Sequence, residues 1–220
     1  YFLWSSQPND ELRAAAASGR LHEPDVLKAQ AKRMLTDART RRLATEFACQ
    51  WLHIYDFDAL DEKSEKHFPE FAELRGDMYE ESILFFTDLF QRDASVLSLF
   101  DADHTFVNER LAKFYGLPFD KDRHRARPGG STASALLAPR DVRTSAEADK
   151  PLGQAQGRDE VGWQRVSGLR QQGRGGILGL SATLAKQSGA SRTSPILRGN
   201  WISEVLLGEK LPKPPKDVPR

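Results

Sequence analysis

The sequence predicts a mainly α-helical protein: a helical domain, a long irregular insertion, a short extended segment and a second small helical part that ends in a Pro-rich tail. Apolar residues recur at helical spacing through residues 1–118, whereas residues 119–162 contain one aromatic residue and many small ones. Residues 163–220 regain apolar periodicity before four prolines appear in the last twelve residues. A chain of 220 residues is long enough to bury a substantial core.

Three helices are predicted at the start of the first region. Asn9 or Asp10 caps the first helix and Gly19 ends it, and Pro24 opens the second helix at a position that needs no backbone N–H. The apolar residues of the second and third helices follow helical spacing: Val26, Leu27, Ala31, Met34 and Leu35, then Leu43, Phe47 and Trp51.

The longest predicted helix runs from about Glu70 to Gln91. Its apolar residues lie mainly on one side, and we expect its acidic residues to lie away from that side: Asp77, Glu80, Glu81 and Asp88. Two shorter helices follow. The second is predicted to begin at Asp103, with His104 in its first turn, and to end at Gly116.

Residues 119–162 carry too little apolar surface to offset their ordering entropy. We predict a flexible insertion or linker there, with a brief helix near 133–137. Around Trp163 a short extended segment is expected, then a Gly-rich turn into a helix that ends near Gly189, and a helix opened by Pro195. The final residues favour polyproline II. The predicted domains are therefore 1–118, 119–162 and 163–220, the last packed on the first.

The formal net charge of +1 conceals an uneven distribution. Residues 1–118 hold 14 Lys and Arg against 21 Asp and Glu, whereas residues 163–220 hold 10 against 3. Opposed charges predict that the two regions attract each other, or that the basic region meets an acidic partner. No basic stripe interleaves with aromatic residues, which argues against nucleic-acid binding. No apolar run approaches the roughly 20 residues of a membrane span.

The start of the chain and its single cysteine give two further expectations. The chain begins inside an apolar segment without Met and shows no secretory signal, so we expect it to be a piece of a longer protein. Cys49 is the only cysteine, which excludes an internal disulfide. Its apolar helical surroundings predict a buried, inert thiol.

The stretch "GASRTSPILRGNW" is the candidate binding site. Ser194 before Pro195 predicts a capped helix start, where exposed N–H groups favour anions. Arg192, Thr193 and Arg198 lie beside it, so a carboxylate or phosphate could bind there. The alternative is a structural role, in which Arg192 pairs with an acidic residue of the first region and joins the first and last regions of the chain.

Other patterns predict structure rather than chemistry. The glycines of "RGGILGLSAT" lack the spacing of a phosphate-binding loop, and "YDFDALDE" lacks the glycine and the distal glutamate of a calcium loop. His104 beside Asp101 and Asp103 could act as a base or ligand, but a structural role is favoured, with Asp103 as the N-cap of a helix and His104 in its first turn. No paired-histidine or CxxCH spacing occurs. We therefore assign no catalytic residue, no metal ligand and no cofactor to this chain, and leave open whether it is an enzyme.

Several ordered stretches carry a family resemblance: "YFLWSSQPNDEL", "ARTRRLATEFACQWL", "FPEFAELRGDMYEESILFF", "TFVNERLAKFYGL", "RGGILGLSATLAKQSGASRTSPILRGNWISEVLLG" and "PKPPKDVP". In this order they resemble two adjacent uncharacterised domains of large secreted cytochrome c-associated multidomain proteins of planctomycetes. In the family pattern an aromatic residue stands at the position of His104, which weakens a catalytic role for it. The connection before "RGG" is normally shorter, which supports an insertion at 119–162.

The resemblance implies an extracytoplasmic location, and haem c on another domain of the parent protein. It implies a helical module within a haem-bearing polypeptide, and it brings no established reaction. Because no catalytic pattern occurs in this chain, our leading hypothesis is a non-catalytic scaffold or interaction module whose partners are the other domains of that polypeptide. The alternative is a domain that binds or hydrolyses an extracellular polymer, either a glycan or a polyanion. In either case the residues that match the family motif are Arg192, Thr193, Ser194 and Arg198.

Overall fold

A computed structural model describes residues 1–60, 62–120 and 162–210. The helix predicted near 133–137 and most of the predicted insertion lie outside the described residues, as does the Pro-rich tail from residue 211. The described chain is mainly helical with one small two-stranded sheet, which confirms the predicted fold class. None of its helices is both long enough and apolar enough to cross a membrane.

The first helices begin where the sequence predicts. In α1 (Asp10–Ala17) the Asn9 side chain accepts a hydrogen bond from the backbone N–H of Leu12 at 3.1 Å, and α2 (Pro24–Leu35) opens on Pro24. The third predicted helix is present but widens in its middle. It consists of α3 (Arg41–Leu43), a π-helical turn (Ala44–Ala48) and α4 (Cys49–Trp51).

The 21-residue helix α5 (Phe71–Gln91) is the centre of the structure. It packs against the 3-10 turn Phe57–Ala59, against the third helical segment that precedes it and against elements that follow it in the chain. The prediction that its acidic residues lie away from the core is wrong for Asp77 and Glu81, which are buried. Hydrogen-bond donors from other elements satisfy both carboxylates, Thr105 for Glu81 and Arg110 for Asp77, and helical periodicity cannot reveal such long-range partners.

A short antiparallel sheet pairs a strand before residue 120 with a strand after residue 162. After α6 (Ser98–Asp101), strand β1 (His104–Val107) pairs with β2 (Gln164–Ser167), with His104 opposite Ser167. The prediction that Asp103 caps a helix is therefore wrong. Asn108 caps α7 (Glu109–Tyr115) instead, and its side chain accepts from the N–H of Leu111 at 2.8 Å.

Asp103 has a different partner because the pairing of β1 with β2 brings a distant loop to it. Its carboxylate accepts hydrogen bonds from the backbone N–H groups of Gly168 at 3.3 Å and Arg170 at 2.8 Å. A 3-10 turn (Leu169–Gln172) follows, then α8 (Gly176–Gly179) and α9 (Ser181–Lys186). The helix predicted to end near Gly189 thus ends at Lys186 and is broken before Ser181.

The last described helix is α10 (Pro195–Trp201), which continues as a π-helical turn (Ile202–Leu206). Trp201 is buried in the same cluster of apolar side chains as the residues of α5 and α7. Three residues predicted on apolar faces are largely exposed: Leu27, Phe47 and Ile196.

The paired glycines of "RGG" allow α8 to touch α6. Gly176 has φ +56°, and a Cβ atom there would overlap the carbonyl oxygens of Leu99 and Phe100. At Gly175 (φ +152°) a Cβ would lie 2.5 Å from the carbonyl oxygen of Ala102. Close backbone packing at a turn therefore accounts for these glycines, as the sequence predicts.

We expect Gly176→Ala to lower the free energy of unfolding by at least about 2 kcal/mol, because the added methyl group both clashes and requires a left-handed backbone. Urea unfolding measures this change. Gly199→Ala is the matched control, since a Cβ at this helical glycine meets nothing within 4 Å and should be neutral or stabilise by up to about 1 kcal/mol. Equal effects of the two substitutions would contradict this account.

Candidate functional site

The predicted binding stretch forms a compact turn with a capped helix behind it. Ser188 and Thr193 form an isolated antiparallel bridge, and the hydroxyl of Ser194 accepts from the N–H of Leu197 at 3.3 Å. Pro195 occupies the first turn of α10, so the predicted helix start is confirmed. The helix itself has only seven residues before its π-helical turn.

The four predicted site residues differ in exposure. Arg192 and Thr193 are exposed, whereas Ser194 and Arg198 are partly buried. Within the described residues Arg192 forms no ion pair, and the buried Nε of Arg198 has no hydrogen-bond partner. A binding role for these residues stays a prediction.

Lys63 links this turn to the acidic first region, residues 1–118. Its ammonium group donates to the carbonyl oxygens of Ser188 at 2.7 Å and Gly189 at 3.3 Å. Next to it, the backbone N–H of Ser64 donates to the carbonyl oxygen of Ala190 at 2.9 Å. The turn is thus held to the loop before α5 through backbone carbonyl groups, an arrangement that has no sequence signature.

Two tryptophan side chains, one from the last helix and one from the third helical segment, each donate a hydrogen bond to the backbone of the other segment. The indole N–H of Trp201 donates to the carbonyl oxygen of Leu52 at 3.2 Å, and the indole N–H of Trp51 donates to the carbonyl oxygen of Val205 at 3.3 Å. Trp201 is buried, so its donor would lose a partner inside the core if the helices separated.

Glu81 is the centre of a buried polar cluster that is not among the predicted sites. One carboxylate oxygen accepts from the hydroxyl of Thr105 at 2.5 Å, and the other accepts from the phenol of Tyr115 at 2.5 Å. The backbone N–H of Ser181 is a further donor to this carboxylate. Glu81 itself is only 1% exposed. A carboxyl group on the apolar side of α5, between Met78 and Phe85, is the sequence signal that could have revealed it.

The environment of Glu81 shifts the pKa of its carboxyl group. Burial raises the pKa of its carboxyl group to about 7, although the hydroxyls of Thr105 and Tyr115 and the positive charge of Arg174 act in the opposite direction. The guanidinium of Arg174 lies 3.8 Å from the ring centroid of Tyr115 and donates to the carbonyl oxygen of Gly179 at 3.0 Å. A proton can therefore be held inside the core near neutral pH.

The carboxylate of Asp88, with His104 and Arg92 beside it, faces an open cavity of about 310 Å³. His104 Nε2 lies 3.3 Å from an oxygen of Asp88, and the Arg92 guanidinium lies 2.7 Å from the other oxygen. Burial opposes ionisation of Asp88, but the hydrogen bond from His104 and the charges of Arg92 and Arg165 hold the pKa of its carboxyl group below the usual value.

No group of three or more His, Cys, Asp or Glu side chains is placed to hold a metal ion within the described part of the chain. Cys49 is fully buried, and burial raises the pKa of its thiol to about 12. Its surroundings therefore agree with the predicted inert thiol.

Comparison with protein families identifies both parts of the chain. Residues 1–117 match PSD4, described as a protein of unknown function (DUF1592). The chain belongs to the PSD4 family. Residues 174–220 match PSCyt3, also described as a protein of unknown function (DUF1588). The two names indicate planctomycete cytochrome c-associated domains of unknown function, as the sequence resemblance implied. Neither the curated proteins nor the solved structures gave a match.

The Glu81 cluster joins the PSD4 and PSCyt3 regions. Glu81, Thr105 and Tyr115 lie in the PSD4 region, whereas Ser181 and Arg174 lie in the PSCyt3 region. The two tryptophan bonds cross the same boundary, because Trp51 and Leu52 belong to the first region and Trp201 and Val205 to the second. Both sets of contacts are internal to the fold.

Stability should depend on pH through Glu81. The folded state raises the pKa of this carboxyl from 4.5 to about 7, so the folded protein binds more protons than the unfolded chain in that interval. Its contribution to stability is therefore greatest below pH 4.5 and is lost as the pH rises through 7. Between pH 4.5 and pH 8 we expect wild type to lose on the order of 2–3 kcal/mol relative to Glu81→Gln.

Urea unfolding of both proteins across this range measures the difference. Glu73→Gln is the control, because it changes an exposed carboxyl on the same helix. If wild type and Glu81→Gln showed parallel stability profiles from pH 4.5 to pH 8, Glu81 would not titrate in this way.

Proposed function

We propose that this chain is a non-catalytic scaffold or interaction module of a multidomain c-type cytochrome protein, in which another domain carries the haem. The PSD4 and PSCyt3 family names support the cytochrome association. An extracytoplasmic location belongs to the same proposal and is supported by the resemblance to large secreted proteins. The partners of the module are then the other domains of the parent polypeptide.

The observation that carries the scaffold proposal is the reciprocal tryptophan pair. Trp201 and Trp51 each donate to the backbone of the opposite region, so the PSCyt3 segment is built into the core of the PSD4 helices. Other polar groups are used in the same way: Lys63 and Asp103 both hold distant backbone segments. This arrangement agrees with a rigid module that holds neighbouring domains in place.

The decisive experiment compares visible absorption spectra of the complete parent protein and of this chain, each oxidised and reduced. The proposal expects sharp haem bands in the parent and a colourless chain. A parent without haem would remove the cytochrome association. Haem bound covalently by this chain alone would make it the electron carrier rather than the support.

The scaffold proposal also predicts how the two regions depend on Trp201. Replacing this residue by Ala should lower the free energy of unfolding by about 3–5 kcal/mol, because a large buried ring is lost. Trp201→Phe keeps a smaller aromatic ring and loses the bond to Leu52, so a smaller loss of about 1–2 kcal/mol is expected. Chemical unfolding followed by circular dichroism separates the two. A negligible effect of Trp201→Ala would show that the PSCyt3 segment is not part of the core.

The alternative role, binding of an extracellular polymer, has its own test at Arg192. This side chain is exposed, so Arg192→Ala should leave the unfolding free energy within about 0.5 kcal/mol of wild type. The scaffold proposal expects no retention of the chain on a heparin column beyond that of an unrelated protein of equal charge. Retention that Arg192→Ala abolishes would favour the polymer-binding role instead.

A further inference from the structure

Three aromatic rings form a continuous stripe on the surface of the first region. The ring centroids of Phe2 and Phe47 lie 6.1 Å apart, and the rings of Phe47 and Trp51 are stacked with their centroids 6.4 Å apart. Phe2 is 70% exposed and Phe47 47%, whereas Trp51 is partly buried against the core. We call these three residues the aromatic ladder. Exposed rings that touch one another mark an interaction site, unlike apolar residues that are exposed singly.

The ladder lies beside the point where the chain leaves its last described segment. The indole N–H of Trp51 already donates to the carbonyl oxygen of Val205 at 3.3 Å. Gly208 then ends the π-helical turn with φ +69°, and the N–H of Glu209 donates back to the carbonyl oxygen of Ser203 at 2.8 Å. Carbonyl oxygens two residues apart on a helix are about 5 Å apart, so Glu209 lies on the order of 10 Å from the Trp51 indole. The Pro-rich tail therefore starts close to the ladder.

The tail has the composition that aromatic surfaces bind. Its sequence is LPKPPKDVPR, and in the predicted polyproline II conformation every third residue lies on the same edge, about 9 Å along the chain. One edge then carries Pro212, Pro215 and Val218, whereas another carries Lys213 and Lys216. The segment thus has an apolar edge and a basic edge. Proline-rich segments dock on aromatic side chains with little loss of entropy, because their conformation is already restricted.

The tail is long enough to cover the ladder. Ten residues of polyproline II extend about 31 Å, whereas the ladder from Trp51 to Phe2 is no longer than its two centroid spacings together. Because the tail is tethered beside Trp51, its effective concentration at the ladder is on the order of millimolar. Even a contact whose Kd is millimolar is then occupied about half of the time. A small area of ring and proline contact is therefore sufficient.

We propose that the Pro-rich tail folds back onto the aromatic ladder of the same chain, with Pro212 and Pro215 against the rings of Phe47 and Trp51 and its basic edge toward solvent. The ladder belongs to the PSD4 region and the tail to the PSCyt3 region. The contact therefore forms a strap on the surface, across the boundary that the two tryptophan bonds cross in the interior. The inference goes beyond the scaffold proposal and does not require the parent protein to carry haem.

A nitroxide on the tail tests this contact by NMR of the isotope-labelled full chain. The nitroxide is attached through Asp217→Cys, and Cys49 stays unlabelled because it is fully buried. Tethering alone brings the nitroxide near the ladder, so the informative quantity is the change in line broadening when the contact is removed. Broadening of the Phe47 amide and the Trp51 indole resonances is measured, and the fold of each variant is checked by circular dichroism.

Two double variants of the tail separate docking from tethering. Pro212→Ser/Pro215→Ser removes the apolar edge and should reduce the broadening at least about twofold, as expected for a contact occupied half of the time or more. Lys213→Ser/Lys216→Ser is the matched control, because it changes two residues with the same spacing on the edge that faces solvent, and it should leave the broadening unchanged. Equal broadening in the two double variants would overturn the proposal.

A change in the ladder locates the contact from the other side. Phe47→Ser should reduce the broadening of the Trp51 indole resonance by a similar factor. Phe114→Ser is the control, since Phe114 is 48% exposed and its ring contacts Tyr115 instead of the ladder. If both substitutions left the Trp51 broadening unchanged, the tail would not dock on the ladder.

A mixed sample distinguishes the chain's own tail from the tail of a second copy. Isotope-labelled chain without nitroxide is mixed with unlabelled chain that carries it at position 217. We expect no broadening of the Phe47 and Trp51 resonances in this mixture, because the contact forms within one chain. Broadening that equals that of the singly prepared sample would make a second copy the occupant and overturn the proposal.

Discussion

The buried carboxylate of Glu81 imposes the strictest constraint on this fold. A carboxylate in the core needs hydrogen-bond donors that stay with it, because leaving it unpaired costs several kcal/mol. Its donors come from β1 (Thr105), from α7 (Tyr115) and from the start of α9 (Ser181). These three elements cannot move away from α5 independently. The requirements of one side chain thus determine where the sheet, α7 and the PSCyt3 region lie.

The PSCyt3 region packs against α5 because two backbone segments approach each other closely. The left-handed turn at Gly175 and Gly176 brings α8 against the carbonyl oxygens of α6 and Ala102, at a distance that a side chain would prevent. Directly before it, Arg174 lies over the ring of Tyr115 and keeps a positive charge near Glu81. The "RGG" sequence therefore serves both the geometry of the turn and the electrostatics of the core.

The same turn links the interior to the outer surface. Close packing of α8 on α6 buries Ile177 and leaves Phe100 and Leu178 partly exposed. The buried acidic groups of α5, Asp77 and Glu81, are both paired with donors from other elements.

The sequence by itself determined the mainly helical class, the helix starts at Asn9, Pro24 and Ser194, and the tight turn at the paired glycines. All of these depend on backbone geometry and on neighbours within a few residues. It also carried the family resemblance, through ordered motifs that need no structure. The predicted roles of Asp103 and His104 were wrong because β1 pairs with a strand that is distant in the sequence, and this pairing outweighs a local preference for helix capping.

Only the tertiary structure decided which polar groups are buried. The position of Asp77 on α5 is compatible with a solvent-exposed acidic face as well as with a buried network. Glu81 lies on the apolar side of α5, but its position does not identify the donors that make its burial possible. The same holds for Lys63, Trp51 and Trp201, whose hydrogen bonds end on backbone carbonyl groups. Because every residue carries such a carbonyl group, the choice of partner leaves no mark in the sequence and is decided by three-dimensional proximity alone.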